Sequence, residues 1–279
     1  MQSAIPDFSG LSALRARFPS LTFGHVRLMD ERGDFTNYEI DGHVVIRVPR
    51  DDTSARCLGI ERELLPRLAP LLPVAIPVFE YVHEPDERFP YGVAAYRKVE
   101  GLSGETHRPV GADRACCAET LGRALSILHA FPLADARACG VVPHAAPPAS
   151  ELRRRIEGYA DLIRREAPAL LTDEVERYLL GEVEPPRPST LPEVLLHHDL
   201  KGEHYILTPK GDDLHGIIDW ADAAIGDPAT EFVGVALWLG MPFVEQVLAQ
   251  YARPADDGFV DRVQFANQCA RLIHLGMRF

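Results

Sequence analysis

Lysine is almost missing from this sequence. Of 29 basic residues only Lys98, Lys201 and Lys210 are lysines, and the rest are arginines. Positive charge as a whole is outnumbered: 41 acidic residues bring the formal net charge to −12. Such a surface repels phosphate backbones and excludes nucleic acid as a partner. No apolar run approaches the roughly 20 residues that cross a bilayer, and MQSAIPDFSG has no basic-then-apolar leader pattern. A membrane partner is therefore not expected. The five cysteines are odd in number and lack CxxC spacing, which excludes a disulfide framework and a zinc site, points to a reducing cytoplasm, and predicts small buried hydrophobes. Aromatic residues are only 8% of the chain, and repeats and low-complexity runs are absent.

What is present is ordinary globular material, 46% hydrophobic over 279 residues, enough for a full core. The first hundred residues read as strands with one helix. Val44–Val48 is β-branched and apolar after the turn-forming Asp41-Gly42. A helical pattern spans 54–72, with Pro66 set to kink it or shift its start. Strands follow around 78–82 and 92–99. Beyond Gly101 the texture is helical, with helices predicted over 115–131 and 151–169. The Pro-rich stretches 143–148 and 185–192 read as surface connections. This order suggests two lobes joined near Arg97–Gly101.

The chemistry concentrates in Leu195-Leu196-His197-His198-Asp199-Leu200-Lys201-Gly202-Glu203-His204-Tyr205-Ile206-Leu207, followed by a turn over 208–214 and the strand Gly216-Ile217-Ile218 ending at Asp219. Two short apolar strands flanking Pro-Lys-Gly predict a hairpin. It carries two carboxylates, Asp199 and Asp219. One can orient an acceptor hydroxyl and take its proton, and the other can hold a metal that bridges nucleotide phosphates.

His197-x-Asp199-x-x-x-x-His204, Ile218-Asp219-Trp220 and Gly226-Asp227-Pro228 together resemble the aminoglycoside and macrolide phosphotransferases, relatives of protein kinases. The resemblance is tight over 195–232 and looser before Gly101. It implies an α+β, protein-kinase-like two-lobed fold. A small, mainly antiparallel β lobe with one key helix (1–97) would bind nucleotide, 98–101 would form the hinge, and a larger helical lobe (102–279) would carry the catalytic loop and acceptor site. Asp199 matches the base or hydroxyl-orienting position, Asp219 the main Mg²⁺ ligand, and His197 a supporting loop histidine. Asp227 either braces the loop or caps a helix. His204 stands where many kinases have asparagine; as a metal ligand its imidazole also tolerates Mn²⁺. Lys201 either meets the γ-phosphate or is an exposed loop lysine.

The nucleotide end departs from the family. Its strand lysine is replaced by Arg47, which keeps the charge in a planar fork. Glu61 is the expected partner, with Glu63 in reserve. The phosphate turn Glu31–Thr36 has the single glycine Gly33, leaving backbone N–H groups as its only means of phosphate contact. In the hinge the resemblance assigns the purine edge to backbone groups of Arg97 and Val99 and the back wall to Tyr96, with ATP and GTP both open as donor.

With only sixty residues after Asp219 and no Ala-Pro-Glu anchor, the acceptor is a small-molecule alcohol and not a protein. The segment after Gly226-Asp227-Pro228 is apolar, with Glu231 nearly alone and Trp238 as a possible stacking wall. The missing acidic patch argues against a strongly cationic acceptor, so aminoglycoside-type and macrolide-type antibiotics both stay open. A choline or amino-alcohol kinase would need an aromatic cage. A nucleotide-binding pseudokinase is the reading from another class, motivated by Arg47 and the single-glycine turn.

Overall fold

The computed structural model describes residues 8–30, 33–144, 147 and 149–279. Glu31 and Arg32 of the expected phosphate turn, part of the 143–148 stretch and the first seven residues lie outside the described residues.

A first helix, α1 (Phe8–Arg17), precedes strands β1 (Val26–Asp30), β2 (Phe35–Ile40) and β3 (Val44–Pro49). β2 and β3 are joined by a tight turn in which Asp41 and Gly42 both take left-handed φ values of 50° and 78°, the handedness that matches strand twist. After β3 comes α2 (Asp52–Leu68), opened by a capping box in which Asp51 accepts from the Ser54 amide at 2.8 Å and Ser54 Oγ accepts from the Asp51 amide at 3.0 Å. Its buried stripe is Leu58, Glu61, Leu64, Leu65 and Leu68, so a carboxylate sits on the apolar face. Pro66 neither kinks the helix early nor delays its start. It lies in the last turn, and the helix stops at Leu68, short of the expected 72.

β4 (Phe79–His83) and β5 (Val93–Arg97) complete an antiparallel five-stranded sheet of order β1-β2-β3-β5-β4. Leu14 of α1, a helix the sequence did not announce, and Phe18 just beyond it pack with Ile40, Ile46, Val93 and Ala95 on that sheet.

The remaining elements are β6 (Leu102–Ser103), α3 (Gly111–Leu128), α4 (Leu133–Ala138), α5 (Ala149–Glu166), α6 (Asp173–Leu179), β7 (Val194–Leu196), β8 (Tyr205–Leu207), β9 (Leu214–Ile217), β10 (Ala224–Gly226), α7 (Pro228–Leu239), α8 (Met241–Leu248) and α9 (Phe259–Gly276). The predicted hairpin is β8–β9, extended by β6 on its other edge. Its second strand starts and ends earlier than expected, which leaves Ile218 and Asp219 beyond the ladder. β7 pairs with β10. The main core joins Leu64, Leu65 and Leu68 of α2 to α3, α7 and α8, and a second cluster joins α5, α6 and α9. Among the described residues no helix is long and apolar enough to cross a membrane. All five cysteines are free; Cys117, Cys139 and Cys269 are buried as expected, whereas Cys57 is half-buried and Cys116 exposed.

Candidate active site

β7 delivers the chain to His197, and the loop then turns sharply: His198 is left-handed at φ 74°, a cost of about 1–3 kcal/mol that the surroundings must hold in place. Glu231, in the first turn of α7, does so. Its two carboxylate oxygens accept the amides of His197 at 2.6 Å and His198 at 3.1 Å. The carboxylate is sealed from solvent. Burial pushes its pKa up, but His129 and His197 outweigh it and hold Glu231 below the ordinary carboxylate range. His129 lies 3.8 Å from Glu231 Oε2 through Nε2, and its Nδ1 is 2.7 Å from Tyr251 Oη. Glu231 was expected to face the acceptor; the structure corrects this, since both oxygens are committed to loop amides.

The same network fixes the tautomers. The Asp199 amide donates to His197 Nδ1 at 3.3 Å, so His197 is protonated on Nε2, which donates to Ile218 O at 3.0 Å. Burial pushes the His197 pKa down, favouring this neutral form. Its ring also packs on Trp220, centroids 4.6 Å apart. His204 donates Nδ1–H to Asp199 O at 2.7 Å, which turns Nε2 toward Asp219 Oδ2 at 3.3 Å. Lys201 Nζ stands 3.1 Å from Asp199 Oδ2 and 2.9 Å from Glu203 Oε1. Burial lowers its pKa, but the two carboxylates prevail and raise it. Lys201 is therefore paired with Asp199 and is not a loose loop lysine.

Asp219 is the second left-handed non-glycine residue of the site, φ 63°. Arg47 reaches it from β3: Nη2 is 3.3 Å from Asp219 Oδ1, while Nη1 donates to Glu61 Oε1 at 2.7 Å. The guanidinium carbon lies 3.9 Å from the centroid of the Phe35 ring, a cation–π contact. Burial raises the Asp219 pKa, yet the neighbouring charges, Arg47 foremost, outweigh it and the group stays below its ordinary value. Glu61 goes the other way. Burial dominates over the attraction of Arg47 and pushes it up to about 7. Glu63 pairs with Arg67 on α2 at 3.6 Å and has no part in the site.

Tyr96 is buried on β5, edge-on to Phe79 at 5.6 Å, and burial raises its hydroxyl to about 12. The Arg97 side chain is exposed and paired with Glu80 at 3.0 Å. Val99 packs at Gly216. Gly33 is exposed, and its carbonyl accepts from Arg50 at 3.2 Å. Asp227 caps α7 through the Ala229 amide at 3.1 Å and is gripped by Arg262 Nε at 2.7 Å.

Trp238 is not an acceptor wall. It is buried, donates Nε1–H to Gly104 O at 2.7 Å and stacks on Tyr205 at 4.2 Å, pinning the loop exit to β6. Beside it Gly234 admits the loop itself: a Cβ there would lie 1.6 Å from Leu200 O. A cavity of about 800 Å³ opens beyond Asp199 and Lys201, walled by α5, α7, α9 and the Pro185–Pro188 segment. The rings of His198 and His144 meet at its edge, centroids 4.0 Å apart and tilted by 46°. The α9 wall carried no chemical motif in the sequence; only the fold brings it to the loop.

Among the described residues no cluster of three or more His, Cys, Asp or Glu side chains is arranged to hold a metal by itself. His204 Nε2 and Asp219 Oδ2 nevertheless present two lone-pair atoms to each other. That donor pair fits a small divalent cation completed by phosphate oxygens and water, the usual manner of Mg²⁺.

The sequence profile of the phosphotransferase enzyme family (APH) matches residues 25–262. No curated protein matches the chain. Among solved structures, the GDP and kanamycin complex of APH(2")-IIia is 24% identical, with 98% of this chain and 93% of that chain covered and a TM-score of 0.73. The macrolide 2'-phosphotransferase MphH from Brachybacterium faecium, an apoenzyme, is 23% identical over 97% and 92%, TM-score 0.68. The streptomycin-ATP-APH(2")-IIa ternary complex is 17% identical over 98% and 91%, TM-score 0.67. These likenesses agree with the α+β, kinase-like fold expected from the sequence.

Proposed function

The chain belongs to the phosphotransferase enzyme family, and on that footing we propose that it transfers the terminal phosphoryl group of ATP or GTP, with Mg²⁺, to a hydroxyl of a small molecule. The observation that carries this is the convergence of Asp199, Lys201, His204, Asp219 and Arg47 at one cleft from two distant parts of the chain. The proposed division of labour gives residues 1–97 to the nucleotide, 98–101 to the hinge and 102–279 to the acceptor.

Asp199 receives the acceptor hydroxyl, orients it and takes its proton. Lys201, raised in pKa, stays an ammonium and offsets charge that grows on the transferring group. Arg47 holds phosphate oxygens through its fork, with Glu61 keeping the guanidinium in register. Tyr96 closes the rear of the base pocket, and backbone groups of Arg97 and Val99 meet the purine edge. His204 and Asp219 would hold the divalent metal, Mg²⁺ or, given the imidazole, Mn²⁺. When bound, it neutralises phosphate charge.

A second reading has a specific observation behind it. Arg47 already occupies Asp219 Oδ1, a contact that competes with metal and suits a protein that binds nucleotide without turning it over. A choline-type kinase is disfavoured, because Phe265 is the one Phe, Tyr or Trp side chain among the described residues lining the cavity.

Steady-state turnover of ATP and of GTP, each with Mg²⁺ or Mn²⁺, against aminoglycosides, macrolides and amino alcohols tests the proposal. Acceptor-stimulated turnover should fall about 10²–10⁴-fold in Asp199→Asn with nucleotide binding retained, and Asp219→Asn should lose its metal dependence. Tight nucleotide binding with no turnover anywhere in the panel would move the conclusion to the second reading.

A further inference from the structure

The cavity beyond Asp199 is chemically lopsided. At about 800 Å³ it suits a compound of drug size or larger. Its walls are largely hydrocarbon: Val233 and Leu237 from α7, Phe265 and Ile273 from α9 with Met277 just beyond it, and Leu152 from α5. Among the described residues the only lining carboxylates are Asp199, Asp227 and Glu231, and none is free of a partner. Asp199 is in contact with Lys201 at 3.1 Å, Arg262 grips Asp227 at 2.7 Å, and Glu231 is sealed on loop amides. With Lys201 and Arg262 committed to those carboxylates, Arg155 and Arg187 remain as lining cations. Arg155 and His274 are exposed on the walls and make no ion pair among the described residues. A chain of net charge −12 thus gathers an excess of cations at this concavity.

An ammonium-rich ligand entering here would shed water without finding a carboxylate, which is costly. An apolar body loses nothing by the same desolvation, and an acidic or neutral group on it meets Arg155 or His274 favourably. We propose that the acceptor is a mainly apolar alcohol, neutral or negatively charged, and not a polycation. This rests on the phosphotransferase reading for the placement of its reacting hydroxyl at Asp199.

The test is equilibrium binding to the full chain of three probes: anilinonaphthalene sulfonate as an apolar anion, octyl glucoside as an apolar neutral alcohol, and kanamycin as a polycation. Anilinonaphthalene sulfonate and octyl glucoside should bind, each displacing the other, with kanamycin at least about tenfold weaker. Ala266→Asp puts a carboxylate on the α9 wall, and Arg155→Glu inverts the exposed charge on α5. Each should weaken the anionic probe about tenfold and strengthen kanamycin, with circular dichroism unchanged. Kanamycin binding tighter than the apolar probes, no binding by any probe, or variants that leave all three affinities alone would each overturn the proposal. Because no phosphoryl transfer is read, the two readings fail separately. Apolar binding without turnover in any panel removes only the kinase reading, whereas efficient kanamycin phosphorylation removes only this one.

Discussion

Glu61→Gln should flatten the pH dependence of folding between about pH 4.5 and 7. In the folded chain the Glu61 carboxyl is buried on the apolar stripe of α2, and burial outweighs Arg47 to raise its pKa from 4.5 to about 7. A raised carboxyl means that the folded state holds the proton more tightly than the unfolded state. The Glu61 contribution to stability is therefore fully present below pH 4.5, falls as pH rises through the window up to about 7, and is level above it. At about 1.4 kcal/mol per tenfold change in proton affinity, the loss across the window is about 3 kcal/mol. Glutamine keeps the shape and can still accept from Arg47 Nη1 at the 2.7 Å position, but it does not titrate. The assay is urea denaturation of wild type and variant at pH 5 and pH 8, compared as a difference of differences so that His197 and other titrating groups cancel. The wild type should lose about 2.5 kcal/mol more than the variant between the two conditions, since part of the window lies below pH 5. Equal slopes would show that Arg47 compensates the buried carboxylate in full. A steeper slope in the variant would refute the direction itself.

Gly234→Ala should cost about 1–3 kcal/mol, because the new Cβ would fall 1.6 Å from the Leu200 carbonyl and force the loop off α7. Urea melts measure the loss, and kcat should fall further than nucleotide KM rises. Glu231→Gln offers one acceptor where two amides need it, stranding a buried N–H of His197 or His198 at a cost of about 1–3 kcal/mol. Its signature is a joint fall in stability and kcat without a change in acceptor KM; a change confined to acceptor KM would return Glu231 to the acceptor wall.

The catalytic loop was legible because its chemistry is local. Asp199 and His204 are five residues apart, and one hydrogen bond from His204 Nδ1 to Asp199 O closes that interval. Arg47 and Glu61 could be paired from a strand and the next helix. What could not be read was direction over distance. Arg47 meets Asp219 across 172 positions, and α9 lines the cavity although its own sequence marks nothing but an amphipathic helix. Trp238 and Glu231 were misplaced for one reason: an apolar helical run announces burial, not which neighbour a lone polar group will face. Arg47 in a Val-Val-Ile-Arg-Val strand, Glu61 on a leucine stripe and Glu231 in Phe-Val-Gly-Val-Ala-Leu each place one charge among hydrocarbon. Burial of an unpaired charge is prohibitive, so each must own a partner that offsets part of its desolvation cost. Two of them, Arg47 and Glu61, answer each other. Glu231, with no cation nearby in sequence, was left to satisfy itself on backbone amides, and a chain turning sharply at His198 is where amides stand unclaimed.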